Sequence, residues 1–394
     1  MNDIHNRPRD FSRATNPANP VRRIPSTSLI VFLVTIQSIL FLGHWFVYQT
    51  WTFFRAQPDP PGITPLQGVF IVLSLSFLTS SLLAFRYTNA LVRLFYKIAA
   101  TWLGFLNFFF LAACLCWLAY LGTRVFSVHW PPQLATAAFA ASALTGIYGL
   151  LNARQVRVKE IAVRLANLPA SWRGRVAALV TDTHLGHVNG QGFMRKIVHT
   201  LAGLKPDVVF IAGDLYDGSK VDLERVVAPW KQFSPPLGAY FVTGNHEEFS
   251  DRGKYLEAIA GAGIRILNNE KVMIDGLQLV GVHDRELGNP DRLRSILEAS
   301  QLDRARPSIL LAHVPQRLEV SEQAGISLQL SGHTHGGQMV PFTWITQRIF
   351  GEYTYGLRRF RDLTVYTSSG AGTWGPPMRV GTQPEIVMLR LETA

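Results

Sequence analysis

Apolar positions dominate the first 150 residues in four long runs. Stretches 26–48, 66–85, 98–121 and 134–151 contain no Asp, Glu, Lys or Arg, and measure 23, 20, 24 and 18 residues. A helix needs about 20 residues to cross a hydrocarbon core of about 30 Å. Each stretch is therefore expected to be a spanning helix. The fourth is the shortest and is rich in Ala, Ser, Thr and Gly, a composition suited to close helix packing in lipid. From about Val156 the pattern changes to short β-branched runs that end in polar loops. Residues 175–181, Val208–Ala212, 239–243, 271–274, Leu277–Val282, Ser308–Ala312 and 326–330 read as strands. Asp275 and Gly276 between the fourth and fifth mark a hairpin. Helical stretches at 192–204 and 291–300 alternate with the strands, which argues for a layered α/β fold with mixed sheets.

Composition sharpens this division. Hydrophobic residues make up 48% of the chain and charged residues only 16%, against roughly 25% charged in soluble domains. The net charge of +11 is uneven. Residues 1–157 hold 12 Lys/Arg against 3 Asp/Glu, and residues 158–394 hold 26 against 24. A basic excess that travels with apolar spans is a membrane pattern, so no nucleic-acid partner is expected and the bilayer is. The two cysteines, Cys114 and Cys116, exclude a disulfide scaffold or a cysteine-built zinc site. Segment 1–25 is polar and rich in Arg and Pro, and is expected to be disordered. Its length and the 23-residue first run fit a retained anchor better than a signal peptide, whose apolar core is about 7–15 residues.

Cations set the expected orientation. The N-terminal segment carries Arg7, Arg9, Arg13, Arg22 and Arg23; the second link carries Arg86, Arg93 and Lys97; Arg154, Arg157 and Lys159 follow the fourth span. The other links carry only Arg55 and Arg124. Four spans put the rich segments on one side, so a cytoplasmic location is expected for both termini of a multi-pass protein of the inner (plasma) membrane. Three units result: segment 1–25, a four-helix transmembrane region 26–153, and a domain 155–394. His44, Asn107 and the two cysteines are the unusual groups within the spans, and hydrogen bonding or packing accounts for them. The absence of fixed charge there speaks against a pump or channel.

The repeated event in the second half is an apolar strand delivering a metal-type ligand to the loop after it. It happens at Asp182 and His184, at Asp214, at Asn245 and His246, at His313, and at His333 and His335. Each motif alone is an ordinary turn or cap; five in order at strand ends are not. Sites in such sheets gather at strand C-terminal ends, so the loops can converge. Carboxylate, imidazole and one amide, without thiolate, suit manganese, iron or zinc. Leaving His246 aside, seven groups exceed what one tetrahedral ion takes, so two divalent metal ions are implied. Such a pair clamps the attacking and leaving oxygens of an in-line displacement at phosphorus. No dinucleotide fingerprint or P-loop is present, so no nucleotide cofactor is implied.

These residues resemble the calcineurin-like metallophosphoesterases, with their Asp-x-His, Gly-Asp-x-x-Asp, Gly-Asn-His-Glu, His and Gly-His-x-His blocks, over roughly residues 155–394. The resemblance implies a layered αββα domain. It implies that Asp182, His184 and His335 hold a first metal, that Asn245, His313 and His333 hold a second, and that Asp214 bridges them. His246 would contact the phosphate or protonate the leaving group, with the acid at Asp217 orienting it. The tail, with Gly336, Gly337 and Gln338, the stretch 370–377 around Trp374, and Pro384, Glu385 and Ile386, is similar to a membrane-associated bacterial subgroup. That subgroup includes phosphodiesterases and relatives that hydrolyse UDP-diacylglucosamine.

The leading expectation is a membrane-anchored dimetal phosphoesterase acting on a phosphodiester or pyrophosphate with a lipid tail. A tethered phosphomonoesterase or phosphoprotein phosphatase is the alternative, and a scaffold that has lost metals is a third reading, although no ligand is missing. Other residues take plainer expectations: His187 as a solvent-facing loop histidine, His199 as structural, His283 and Asp284 as hairpin-end polarity or support for the site. Arg358, Arg359 and Arg361 suit either phosphate, anionic lipid or water. The apolar run Pro341, Phe342, Trp344, Ile345, Ile349 and Phe350 is expected to be a core helix, with a lip for acyl chains as the alternative.

Overall fold

The computed structural model describes residues 26–55, 63–127, 130–131, 133–248 and 251–394, so the expectation for segment 1–25 lies outside the described residues. Four helices come first: α1 (Ser26–Phe54), α2 (Pro65–Ala84), α3 (Ala90–Val125) and α4 (Gln133–Ala153). All four are long and apolar enough to cross a membrane. Their starts are written locally. Thr64 and Gln67 form a reciprocal capping box ahead of Pro65, and the Asn89 side chain accepts from Val92 N; both arrangements satisfy amides that the first helical turn leaves unpaired. At 36 residues α3 extends beyond the apolar run at both ends, taking in Arg93, Lys97 and Arg124. It is about 54 Å long at 1.5 Å per residue, more than the hydrocarbon thickness. The helices meet through aromatic side chains, among them Trp51, Phe54, Phe109, Trp117 and Phe139. His44 accepts from Trp102 Nε1 at 2.8 Å, and Thr50 accepts from Trp117 Nε1 at 2.9 Å.

The second half is a sandwich of two six-stranded sheets. Its strands are β1 (Arg157–Leu165), β2 (Val176–Val180), β3 (Val208–Ala212), β4 (Ala239–Val242), β5 (Arg265–Ile266), β6 (Glu270–Ile274), β7 (Leu277–Val282), β8 (Ser308–Ala312), β9 (Leu328–Ser331), β10 (Gly356–Phe360), β11 (Leu363–Thr367) and β12 (Glu385–Thr393). One sheet has the order β1-β12-β2-β3-β4-β5 and the other β10-β11-β9-β8-β7-β6. Strands β2 to β5 run parallel, as do β7, β8, β9 and β11, while β12 against β2, β6 against β7 and β10 against β11 are antiparallel. Both sheets are thus mixed, as expected. The hairpin at Asp275 and Gly276 is present, with both residues at positive φ.

Between the sheets lies a core of Trp172, Phe210, Leu279, Leu330 and Val387. Helix Gln191–Leu204 covers the outer face of the first sheet through Met194, Ile197 and Leu201, and helix Pro290–Ala299 covers the second through Leu293 and Leu297. The layers run helix, sheet, sheet, helix. Strands β2, β3 and β4 read as continuous apolar runs because both faces are covered. The edge strands β1, β10 and the C-terminal part of β12, half exposed and interrupted by charge, carry a weaker signal than the central ones.

Sandwich and helices meet along a seam. Met339 and Met378 pack on Phe105, Phe108 and Leu111 of α3 and Leu150 of α4. Asn107 Nδ2 donates to Val340 O at 2.9 Å, and Asn152 Nδ2 donates to Arg379 O and Thr382 O, each at 2.9 Å. His187, expected to face solvent, is buried here: its ring contacts Tyr96 and its Nε2 lies 3.1 Å from Ala84 O at the end of α2. The expectation failed because a polar loop after a strand reads as surface when the surface that covers it lies a hundred residues away.

Candidate metal centre

The five ligand-bearing loops follow β2, β3, β4, β8 and β9. Because those strands are parallel neighbours in two packed sheets, their C-terminal ends open on one edge of the sandwich. Main-chain bonds lock the loops together: Asp182 N to Gly213 O at 3.1 Å, His184 N to Asp214 O at 3.1 Å, and Gly332 N to His313 O at 2.8 Å. The backbone is bent into the left-handed region at Asp182, His184, Asp214, His333 and His335, a conformation uncommon outside glycine that persists only where surroundings enforce it. Glycine is required beside them. Gly213 has φ +83°, and a Cβ there would lie 2.6 Å from His313 Nδ1 and 2.7 Å from Gly244 N. Gly370, at φ +80°, would bring a Cβ to 2.7 Å from that of Asp182.

Side chains then converge in two groups. In the first, Asp182, His184 and His335 come together, with His184 Nε2 at 2.9 Å from His335 Nε2 and Asp182 Oδ1 at 3.5 Å from His335 Nε2. In the second, Asp214, His313 and His333 gather, and Asn245 Oδ1 lies 3.0 Å from His333 Nδ1. Asp214 Oδ2 belongs to both: it is 3.7 Å from His184 Nε2 and 3.2 Å from His313 Nε2. All seven groups expected as ligands are therefore in one place.

The donor set fits divalent metal ions. His313 Nδ1 lies 2.7 Å from Ala212 O, and its Nε2 is buried without a hydrogen-bond partner, 3.2 Å from Asp214 Oδ2. A ring fixed through one nitrogen, with the other turned toward a carboxylate, is the arrangement of a metal-binding histidine. The electrostatics agree. Burial, with His246 and Arg379 nearby respectively, holds His184 and His335 well below the ordinary histidine value, which favours both as neutral donors. Burial pushes Asp182 up to about 6. Burial acts the same way on Asp214, but the imidazoles around it, His313 above all, prevail and hold its carboxyl far below the carboxylate range. The His313 imidazole is lowered by burial and lifted further by Asp214, to well above its ordinary value. The centre calls for positive charge, which a proton supplies when no metal does.

Three residues support the loops: Glu247 of the Gly-Asn-His-Glu block, His283, for which support of the site is one of the two expectations, and Arg379, which carries no clear signal in the sequence. Glu247 is fully buried and accepts from the main-chain amides of Asp214, Tyr216 and Gly244 at 3.1, 2.9 and 2.8 Å, tying the β3 and β4 loops to each other. Burial and the nearby Asp214 raise it to about 8. Arg379 is wholly buried and donates to the carbonyls of His335, Ser369 and Gly372 at 2.8, 2.7 and 2.6 Å, while its own amide donates to Gly149 O of α4 at 3.0 Å. A lone arginine in an otherwise apolar, Gly- and Pro-rich tail was the available clue. His283 bonds to Thr243 and Asn268 and is held near 3 by burial, which makes it a neutral brace for the β4 loop.

His246 stands over this centre, with Nε2 3.9 Å from Asp214 Oδ2 and its ring against the exposed Trp374. Its Nδ1 bonds at 2.8 Å to the main-chain carbonyl of Asp217. The Asp217 carboxylate accepts from Ser219 N at 2.8 Å and from the Ser219 hydroxyl, and its main-chain carbonyl is the group placed on the ring. A backbone carbonyl fixes the same tautomer without adding charge. The run after Val340 also differs from expectation. Helix Phe342–Phe350 has no buried residue, so it is not a core helix, and its last side chain, Phe350, touches the ring of His333.

The profile of the calcineurin-like phosphoesterase family matches residues 176–337, the segment from β2 through the last ligand loop. Over 395 aligned residues the chain is 31% identical to a transmembrane protein with metallophosphoesterase domain from Danio rerio, covering 93% of this chain and 90% of that one. A protein of the same description from Bos taurus is 36% identical over 65% of this chain and 62% of its own length. An uncharacterised metallophosphoesterase of Campylobacter jejuni is 32% identical over 62% of this chain and 66% of its own.

Proposed function

The chain belongs to the calcineurin-like phosphoesterases, as a metal-dependent phosphoester hydrolase with membrane-spanning helices, and from that premise we propose a two-metal reaction on a lipid-linked phosphodiester or pyrophosphate at the cytoplasmic face of the plasma membrane. The observation that carries this reading is Asp214 Oδ2, which lies within 3.7 Å of one ligand group and 3.2 Å of the other. In it, Asp182, His184 and His335 would hold one ion, Asn245, His313 and His333 would hold the second, and Asp214 would be shared; the donors suit manganese, iron or zinc.

When bound, the two ions supply Lewis-acid charge at phosphorus and acidify water. The chain's own groups do the rest. His246 offers Nε2 to the phosphoryl or leaving oxygen while the Asp217 carbonyl holds its Nδ1–H. Glu247 and Arg379 fix the loops from behind, and Trp374 walls one side of the approach. The lipid tail is supported by position: the chain that forms the site's floor, Met339 to Thr382, also forms the seam with α3 and α4.

The test is turnover by purified full-length protein in detergent with manganese, across lipid pyrophosphates, lipid phosphodiesters and water-soluble phosphate esters. Preference for lipid-linked diesters or pyrophosphates is expected; preference for soluble monoesters would overturn the substrate class and leave the hydrolase. For orientation, a reporter fused after Ala394 should be active only in its cytoplasmic form.

A further inference from the structure

Helix Phe342–Phe350 is built inside out. A surface helix of a soluble domain turns its apolar stripe inward and its polar face to water. Here, at 3.6 residues per turn, Thr343, Thr346 and Phe350 form the inward stripe and are half-buried, while Phe342, Trp344, Ile345 and Ile349 point outward at 47%, 68%, 50% and 69% exposure. Water is a poor environment for four such side chains on one helix of nine residues.

Its surroundings name the environment it does suit. Two residues before the helix, Val340 O accepts from Asn107 on α3, so the helix begins where the sandwich meets a spanning helix. Thr343 and Gln347 share a cavity of about 550 Å³ with Tyr148 of α4. On that helix, Leu144, Ile147, Tyr148 and Leu151 are exposed at 66%, 48%, 54% and 53%, which is the surface α4 offers to lipid. Arg348 lies on the outer arc, and Arg358, Arg359 and Arg361 are exposed on and after the adjacent strand β10. Trp and aliphatic side chains with arginines beside them are the composition of helices that lie in a membrane surface, and cations near an anionic leaflet are attracted to it.

We propose that helix Phe342–Phe350 is a membrane-inserted interfacial helix, which holds the edge of the metal centre in the headgroup layer beside α4. The bilayer is its partner. Phe342, Trp344, Ile345 and Ile349 enter the acyl boundary, Arg348 and the β10 arginines meet lipid phosphates, and Phe350 carries the contact to His333 at the other end of the helix. This holds whichever phosphoester is cleaved, so it stands or falls apart from the substrate reading.

The test uses the full chain with Cys114 and Cys116 replaced by Ala and one cysteine introduced by Trp344→Cys, Ile349→Cys or, as a control on the far helix Pro290–Ala299, Asp291→Cys. All three positions are exposed, so the substitutions remove no core contact. Each protein carries an environment-sensitive fluorophore and is reconstituted into phosphatidylcholine–phosphatidylglycerol vesicles. Labels at 344 and 349 are expected to shift to the blue, to be quenched by bromine on the acyl chains and to resist aqueous iodide, with label 291 showing the opposite pattern. Iodide quenching at 344 and 349 equal to that at 291 would overturn the proposal. So would a blue shift that bromolipid does not quench and that disappears on dilution into excess lipid, because that pattern assigns the face to a second copy of the chain.

Discussion

The helical half and the sandwich use buried polar side chains in opposite ways. In the spans, Ser74, Ser76, Ser80 and Thr50 are buried and donate to carbonyls three or four residues back in their own helix. In the sandwich, Asp182, His184, Asp214, His313 and His335 are buried and reach across loops from four different strands. A polar group in lipid without a partner costs several kcal/mol, and a self-contained bond is the arrangement least dependent on what the neighbouring helix does. A site needs the reverse: groups left incompletely satisfied by their own strands, so that something else completes them. Within the spans, some side chains bond helix to helix, as His44 and Thr50 do with Trp102 and Trp117, and two reach the seam. Asn107 and Asn152 bond to the sandwich more than 200 residues away.

The largest expected effect breaks the convergent side. Asp214→Asn removes the charge that both ligand groups share; metal content should fall below two per chain and turnover should drop to background, measured by elemental analysis beside activity. Full occupancy with normal rate would rule out a shared carboxylate. Next, His246→Ala should keep both metals and lose about 10²–10⁴-fold in rate. Esters with acidic leaving groups should suffer least if the imidazole supplies a proton, and an equal loss across leaving groups would assign it to phosphate binding. Asp217→Asn should leave the His246 contact in place, since a main-chain carbonyl makes it.

The seam comes third. Arg379→Met strips the His335 loop of its buried donor, and changes behind metal ligands typically cost about 10–100-fold in metal affinity; a competitive chelator titration reads this. Asn152→Ala leaves two carbonyls short of a donor, each worth roughly 1–3 kcal/mol when buried, and should lower the thermal midpoint with a smaller loss of metal affinity. If Asn152→Ala changes neither, the seam is only a contact. The smallest effect is predicted for Ser80→Ala, within about 0.5 kcal/mol, because its hydroxyl serves only Phe77 O.

Both halves were legible in the sequence where a pattern is local. Unbroken apolar runs gave the helices, and strand-then-ligand gave all seven metal-type groups, because a parallel strand buried on both faces has a strong signal and its C-terminal loop follows directly. What escaped was whatever depends on a partner far along the chain. His187 read as surface until α2 and α3 covered it. Helix Phe342–Phe350 read as core because its composition is apolar, and composition does not say which side of a helix is outside. The group of Asp217 placed on the His246 ring is its main-chain carbonyl, a distinction no residue letter carries. Strand β12 pairs in parallel with β1 across more than 200 residues, and nothing in either segment announces the other.

Only Arg154, Gln155 and Val156 separate the end of α4 from the start of β1, a link that spans at most about 14 Å when fully stretched. With Asn107, Asn152 and Arg379 fastening the other side, the sandwich has no arm on which to swing. The metal centre therefore keeps one height relative to the four helices, and a bilayer around those helices would carry it sideways at that height. On the proposed lipid-linked substrate, a phosphorus atom carried at that height would meet the centre in a two-dimensional search, while the same chemical group on a taller stalk would pass overhead. Selection by elevation needs no recognition of the head group at all.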